Sequence, residues 1–284
     1  MIQERIKKSY KRAKLPFVYI PENRGLIECC EPLLVLANGD GISYHNDIEC
    51  AWLKLTDDPT DSVDFVLKKN GVDAIYQPTQ QAFINEPNAF FIQIPWADVL
   101  ASDGLGMYTI EISYSISGIT SSFTWGMYDL QLYTPSNADG TVRIKAVFNV
   151  YHEIEDINFL DSNLTGTLRL KGFCGNRKLN MKIENNWLNN RSLDNIVKEN
   201  IPSYEFTTDP LRECKMRRLT DLYLLSSVDL FVSDYNSFNH TYAINDLLVG
   251  FEESPETVPY EFSRYQGLTV NLIDAKRNKR TYYR

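Results

Sequence analysis

Residues Val63 to Tyr133 read VDFVLKKNGVDAIYQPTQQAFINEPNAFFIQIPWADVLASDGLGMYTIEISYSISGITSSFTWGMYDLQLY. Five apolar runs stand in this stretch: Val63–Leu67, Val72–Tyr76, Ala89–Ile94, Met107–Ser115 and Ser122–Tyr133. In Met107–Ser115, Tyr108, Ile110, Ile112 and Tyr114 alternate with Thr109, Glu111 and Ser113. That period of two is the mark of a strand with one face buried. Between the runs lie Asn70-Gly71, Pro87-Asn88, Asp103-Gly104 and Ser117-Gly118, all of them turn chemistry. Short strands at this spacing predict an antiparallel sandwich.

Working outward, the pattern continues on both sides. Leu33–Leu36, ended by Asn38-Gly39-Asp40-Gly41, and Ala51–Leu55, ended by Asp57-Asp58-Pro59, are further strands. Pro135-Ser136-Asn137-Ala138-Asp139-Gly140 separates two strong β runs and marks a domain boundary. Beyond it Val142–Ile154 and Leu164–Phe173 alternate as strands, the second with Thr165, Thr167, Arg169 and Lys171 on its polar side. Asn176–Asn200 is polar and rich in Asn, and is expected to be a long excursion, partly helical. Leu211–Leu225 is the clearest helix, with Leu211, Met216, Leu219, Leu222, Tyr223 and Leu225 on one stripe. Val228–Val232, Ile244–Phe251 and Leu268–Ile273 complete the strands.

The expected architecture is therefore mainly β, with two β-sandwich-like domains. A basic arm (residues 1–24) leads into a β-sandwich domain (25–135). A second β-rich domain (141–284) follows, with one helix near 211–225, long loops and a basic tail. Seventeen Tyr and fourteen Phe among 284 residues suit such sheets. No apolar run is long enough to span a bilayer, and the charged start MIQERIKKSYKRAK has no apolar core of the signal-peptide kind. Five cysteines at irregular spacing, with no CxxC pair, read as reduced thiols rather than as zinc ligands or disulfides. In that setting the sequons at Asn163, Asn190 and Asn239 carry no meaning.

Charge is the most uneven property of the chain. Residues 1–14 carry Arg5, Lys7, Lys8, Lys11, Arg12 and Lys14 against Glu4, a balance of +5. Residues 274–284 carry Lys276, Arg277, Lys279, Arg280 and Arg284 against Asp274, a balance of +4. With −8 overall, the residues between carry −17. Basic arms on an acidic body suit salt-sensitive contacts between copies, and the same pattern also describes two solvated tails.

Catalytic and metal-binding signals are sparse. His45, His152 and His240 lack a second ligand at metal spacing, and no GxSxG, HExxH, P-loop or GxGxxG occurs. A Ser–His–Asp triad, whose members can be far apart in sequence, stays open. Asp57, Asp58, Asp61 and Asp64 have the density of a calcium loop without its spacing. Glu153, Glu155 and Asp156 form a carboxylate group at a strand end, where solvation is the simpler role. Trp52, Trp96, Trp125 and Trp187 could stack on sugars or fill cores.

Two stretches resemble known families. Asp61–Tyr76, with Phe65-Val66-Leu67 followed by Lys69-Asn70-Gly71-Val72, resembles the immunoglobulin-like domains of phage tail and baseplate proteins. Leu170-Lys171-Gly172-Phe173-Cys174-Gly175-Asn176-Arg177 and Phe231-Val232-Ser233-Asp234-Tyr235-Asn236 are similar to segments of structural proteins of crAss-like phages of gut Bacteroidetes. The resemblance implies a non-enzymatic virion component, a ring protein of the tail or neck below the portal, made in the host bacterial cytoplasm. It implies no cofactor. Its partners would be copies of itself, neighbouring tail, neck or portal proteins and, non-specifically, genomic DNA, with no membrane. The residues expected at the interfaces are Arg5, Lys7, Lys8, Lys11, Arg12, Lys276, Arg277, Lys279 and Arg280. The competing reading is a receptor- or glycan-binding module.

Overall fold

A computed structural model describes residues 31–55, 62–116, 118–152, 157–187, 193–224, 229–238, 244–251, 256–259, 265–275 and 278–281. The protein is mainly β. In its first half the strands are β1 (Leu33–Ala37), β2 (Ile48–Lys54), β3 (Ser62–Lys69), β4 (Val72–Asp73), β5 (Gln81–Phe83), β6 (Glu86–Pro95), β7 (Gly106–Ile116) and β8 (Ile119–Leu132). One sheet has the order β1-β8-β7-β3-β4, the other β2-β6-β5. β1 runs parallel to β8, and the remaining pairs are antiparallel. This is the strand order of an immunoglobulin-type sandwich. The hydroxyl of Tyr108 donates to the carbonyl of Gly104 at 2.6 Å, the tyrosine corner such sandwiches use to fix the turn into the strand.

Alternation decides which residues face inward. Val63, Phe65 and Leu67 of β3 are buried between exposed Ser62 and Asp64 and half-buried Val66. Trp52 packs edge-on against Trp125 at 5.0 Å, and Trp96 lies 5.1 Å from Tyr128, so aromatic rings from the two sheets meet in the core. Trp96 opens α1 (Trp96–Asp103), which joins the sheets and ends at Gly104, where φ is +77° and a side chain would be strained. The run Val72–Tyr76, expected to be a strand, is laddered only over Val72–Asp73. The amides of Ile75 and Tyr76 donate instead to the Asp103 carboxylate, at 2.7 and 2.8 Å.

The turn at 135–140 is ordered by its own chemistry. Thr134 caps the single-turn α2 (Pro135–Ala138), accepting from the amide of Asn137 at 3.1 Å. Asp139 accepts from the amide of Ser237 at 2.9 Å. Among the described residues, no strand before this turn pairs with one after it.

In the second half come β9 (Thr141–Phe148), β10 (Tyr151–His152), β11 (Ile157–Asn158), β12 (Leu164–Trp187), β13 (Leu193–Thr208) and β14 (Leu211–Arg212). Then follow α3 (Glu213–Arg217), β15 (Asp229–Asp234), β16 (Ile244–Phe251), β17 (Glu256–Pro259), β18 (Tyr265–Asp274) and β19 (Asn278–Thr281). The order β9-β12-β13-β18-β16-β15 returns to β9, so six antiparallel strands close into a barrel. Closure leaves those strands without an open edge over their barrel segments. Val142, Ile144, Ala146 and Phe148 meet Leu170, Leu168, Gly166 and Leu164 in register, and all are buried.

The expected helix is present, but it widens along its length. α3 passes into a π-helical turn over Arg218–Leu224, whose Leu219 and Tyr223 are buried against the barrel. The described residues of Asn176–Asn200, 176–187 and 193–200, do not form a partly helical excursion: they are the outer part of the β12–β13 hairpin. Leu179, Met181 and Ile183 alternate with Lys178, Asn180, Lys182 and Glu184, a strand period hidden by the asparagines around it. One apolar cluster runs unbroken from Leu33 through Trp52, Phe148 and Tyr223 to Leu272. No described helix is long and apolar enough to cross a membrane.

Two predictions test this packing. A Cβ on Gly166 would sit 2.7 Å from the Cys50 sulfur and 3.0 Å from the Tyr223 hydroxyl. Gly166→Val should therefore destabilise the protein by roughly 1–3 kcal/mol in urea unfolding, against the β propensity of valine. The Ser237 amide and hydroxyl, with the Gly140 amide, hold the Asp139 carboxyl below its usual range. A depressed carboxyl stabilises the fold above its unfolded pKa, and that contribution disappears as pH falls through the folded value. Asp139→Ala should lower the melting temperature at neutral pH and lose that difference as pH falls below the folded carboxyl's depressed pKa.

Candidate functional site

The region joining sandwich to barrel is built around buried charges. Asp47, in the loop before β2, is 1% exposed. Its Oδ2 accepts from the Leu36 amide and from Arg169 Nε, both at 2.8 Å. Its Oδ1 accepts from Arg143 Nε at 2.9 Å and from Arg169 Nη2 at 3.1 Å. Four donors fill the acceptor sites of one carboxylate. The strands impose this arrangement. Arg143 and Arg169 are directly paired across β9 and β12, so both guanidinium groups leave the barrel wall on the same face.

Each guanidinium has further partners. Arg143 reaches Asp246 at 3.0 Å and the carbonyl of Asn46 at 2.8 Å. Asp246 itself holds a left-handed backbone, φ +45°, at the bulge where β16 leaves register with β15. Arg169 lies 4.7 Å from the ring centre of Tyr235, and Tyr235 donates to the carbonyl of Tyr44. The Asp47 carboxylate raises the pull on the Arg169 proton beyond what burial removes, so that guanidinium stays charged.

A second buried pair lies nearby. Glu49 of β2 meets Arg218, the first residue of the π-helical turn, with Cys50, Tyr128 and Tyr223 around it. Burial pushes the Cys50 thiol and both phenols well above their usual ranges, so none ionises near neutrality. Between the two ion pairs, Thr167 of β12 closes the edge of β2: its hydroxyl accepts from the Ile48 amide at 2.8 Å and donates to the Ile48 carbonyl at 3.1 Å. The barrel strand thus stands where another sandwich strand would.

Beside this seam opens a cleft of about 570 Å³, with Glu31, Leu33, Arg169, Leu170, Lys171 and Lys215 among its walls. Glu31 bonds Arg212 at 2.5 Å and Lys215 at 3.2 Å across one end. Cys214 lies in the adjoining groove with Glu31 and is disulfide-bonded, which corrects the reading of all five cysteines as thiols. Spacing gave no sign of it because the pairing depends on tertiary approach.

From the same β12 a long arm departs. The barrel pairings end at Lys171↔Thr141 and Ser203↔Ile273. The hairpin continues through Lys178↔Ser203 to Trp187↔Leu193, roughly 30 Å further at the rise of a strand. β19 pairs with β13 over Val197–Asn200, forming a third strand on one side of the arm. On the other side, the Lys178–Trp187 edge has no strand partner among the described residues.

The residues singled out in the sequence fall as follows. Lys279 and Arg280 lie in β19, opposite Glu199 and Lys198, so part of the basic tail is a sheet strand. Arg5, Lys7, Lys8, Lys11, Arg12, Lys276 and Arg277 lie outside the described residues. So do Asp57, Asp58, Asp61, Glu153, Glu155, Asp156 and His240. Asp64 is exposed on β3, and His152 is in β10. His45 bonds Asp40 at 2.5 Å and stacks on Tyr133 at 3.8 Å. Trp52, Trp96 and Trp125 are buried core residues. Among the described residues no three His, Cys, Asp or Glu converge as a metal site. Sequence reading missed Asp47, Glu49, Arg143, Arg169 and Arg218. An arginine in each of two neighbouring strands was the available signal.

No protein-family model matches the chain, and no curated protein matches its sequence.

Removing Asp47 would strand two buried guanidinium groups. Asp47→Ala is expected to cost about 3–5 kcal/mol, read from the urea midpoint at constant slope.

Proposed function

We propose that this protein is a non-enzymatic structural subunit that acts through contacts with copies of itself and with neighbouring proteins. The resemblance in its sequence extends the proposal to a ring protein in the tail or neck of a phage virion, below the portal. The observation that carries it is the β12–β13 arm. A hairpin that leaves its own barrel and presents an unpaired edge is built to add strands to another chain. Such an edge is an aggregation hazard in a monomer and an asset in an assembly.

Two further features support the reading. The arm begins on β12, the strand that also carries Thr167 and Arg169, so the seam holds the base of the arm against the sandwich. A ring needs that fixed angle between the two surfaces each subunit presents. Charge is divided in the same sense. Arg177, Lys178, Lys182, Arg191 and Lys198 against Glu184, Asp194 and Glu199 give residues 176–203 a balance of +2, while the chain as a whole carries −8.

The test is particle mass. Mass photometry or native mass spectrometry of the purified chain, at low and high salt and with residues 1–14 present or deleted, should show a discrete oligomer that weakens as salt rises. A monomer under every condition would remove self-assembly as the function.

A further inference from the structure

We infer that the free edge of the β12 arm pairs with the free edge of β3 in the sandwich of a second copy. The inference rests on the assembly reading above and names its contact. Several strand edges lack a strand partner among the described residues, and charge singles out two of them. One is Lys178–Trp187 of β12. The other is Ser62–Val66 of β3. β3 is paired with β7 along its whole length on one side. On its other side β4 covers only Lys68 and Lys69.

The β3 edge is cut off sharply at Leu67. The Gln77 side chain accepts from the Leu67 amide and donates to the Leu67 carbonyl, both at 3.0 Å, and the Ala74 amide donates to the same carbonyl at 2.9 Å. Leu67 is thus satisfied within the chain. The five residues before it have no such cover among the described residues. The other sandwich edges are poorer acceptors: β2 is closed by Thr167, β5 is three residues long, β1 is bonded at Leu36 by Asp47, and the outer side of β8 over Ile119–Met127 carries no acidic residue to meet the arm's lysines.

Charge chooses between a second arm and a second sandwich as occupant. The arm edge carries Lys178 and Lys182 against Glu184, a balance of +1, so two arms side by side would bring like net charge together. β3 presents exposed Asp64, and Asp57, Asp58 and Asp61 stand just before it in the sequence. A basic strand added beside an acidic one is the favoured pairing. Because the two edges are different surfaces of one chain, the contact is head to tail. Repeated, it generates a ring when the rotation closes and a filament when it does not.

The experiment uses the full chain. Asp64→Lys and Lys182→Glu, each alone, should weaken self-association by roughly tenfold, and the two together should restore it. Asp64 is exposed on β3, so the melting temperature of Asp64→Lys is expected to match the parent, and the melting temperature of Lys182→Glu is measured alongside. A photo-crosslinker placed as Lys182→benzoylphenylalanine, mixed with a ¹⁵N-labelled copy, should give intermolecular products mapping to residues 62–66. Oligomers whose crosslinks map from arm to arm, or that ignore both charge changes, would overturn the β3 contact and leave the assembly reading intact. A monomer at all concentrations and salts would overturn both.

Discussion

One buried carboxylate fixes how the two halves of this protein meet. Asp47 accepts from β1 of the sandwich through the Leu36 amide, and from β9 and β12 of the barrel through two guanidinium groups. Desolvating these charges is costly, and only the completeness of the bonding offsets it. A small rotation between the halves would break several charge-assisted bonds together. A purely apolar contact would slide through a range of angles at little cost, since burial is not directional. The ion cluster therefore contributes orientation more than stability, and the continuous core around Trp52, Phe148 and Tyr223 contributes the cohesion.

The second pair, Glu49 with Arg218, extends that control to the helix. Arg218 opens a π-helical turn, a rare geometry that occurs mostly as a single wider turn within an α-helix. Here the wider turn brings Arg218 and Tyr223 to the same buried cluster. Gly166 makes the approach possible, because its bare Cα leaves room for the Cys50 sulfur and the Tyr223 hydroxyl. Barrel wall, sandwich strand and helix are thus tied at one place, and the arm springs from the strand that passes through it.

The sandwich was legible because its strands bury one face. Tyr108, Ile110 and Ile112 announce β7 through alternation alone, and the Asp103-Gly104 turn marks the end of α1. α1 itself was hidden, since eight residues give a helical period too little length to show. The hairpin was misread because asparagine composition outweighed a genuine two-residue period at 178–184. The closure of the barrel rests on β13 meeting β18 some seventy residues away, a pairing no local pattern encodes. Arg169 falls on the polar side of its strand by the same alternation that finds the strand. Alternation tells that two faces differ, but the partner that covers the polar one is Asp47, 122 positions earlier.

That separation has a consequence for synthesis. Asp47 emerges from the ribosome 96 residues ahead of Arg143 and 122 ahead of Arg169. At roughly 5–20 residues per second, its carboxylate waits about 5–20 seconds for its first cation. A nascent chain that has just finished β8 holds every described sandwich strand, yet it carries an acid whose only described internal donor is the Leu36 amide. Until β12 is made, that acid is better left in water than buried. The β1–β2 corner is thus the part of the sandwich that must stay open longest, and the arrival of the barrel strands is what shuts it.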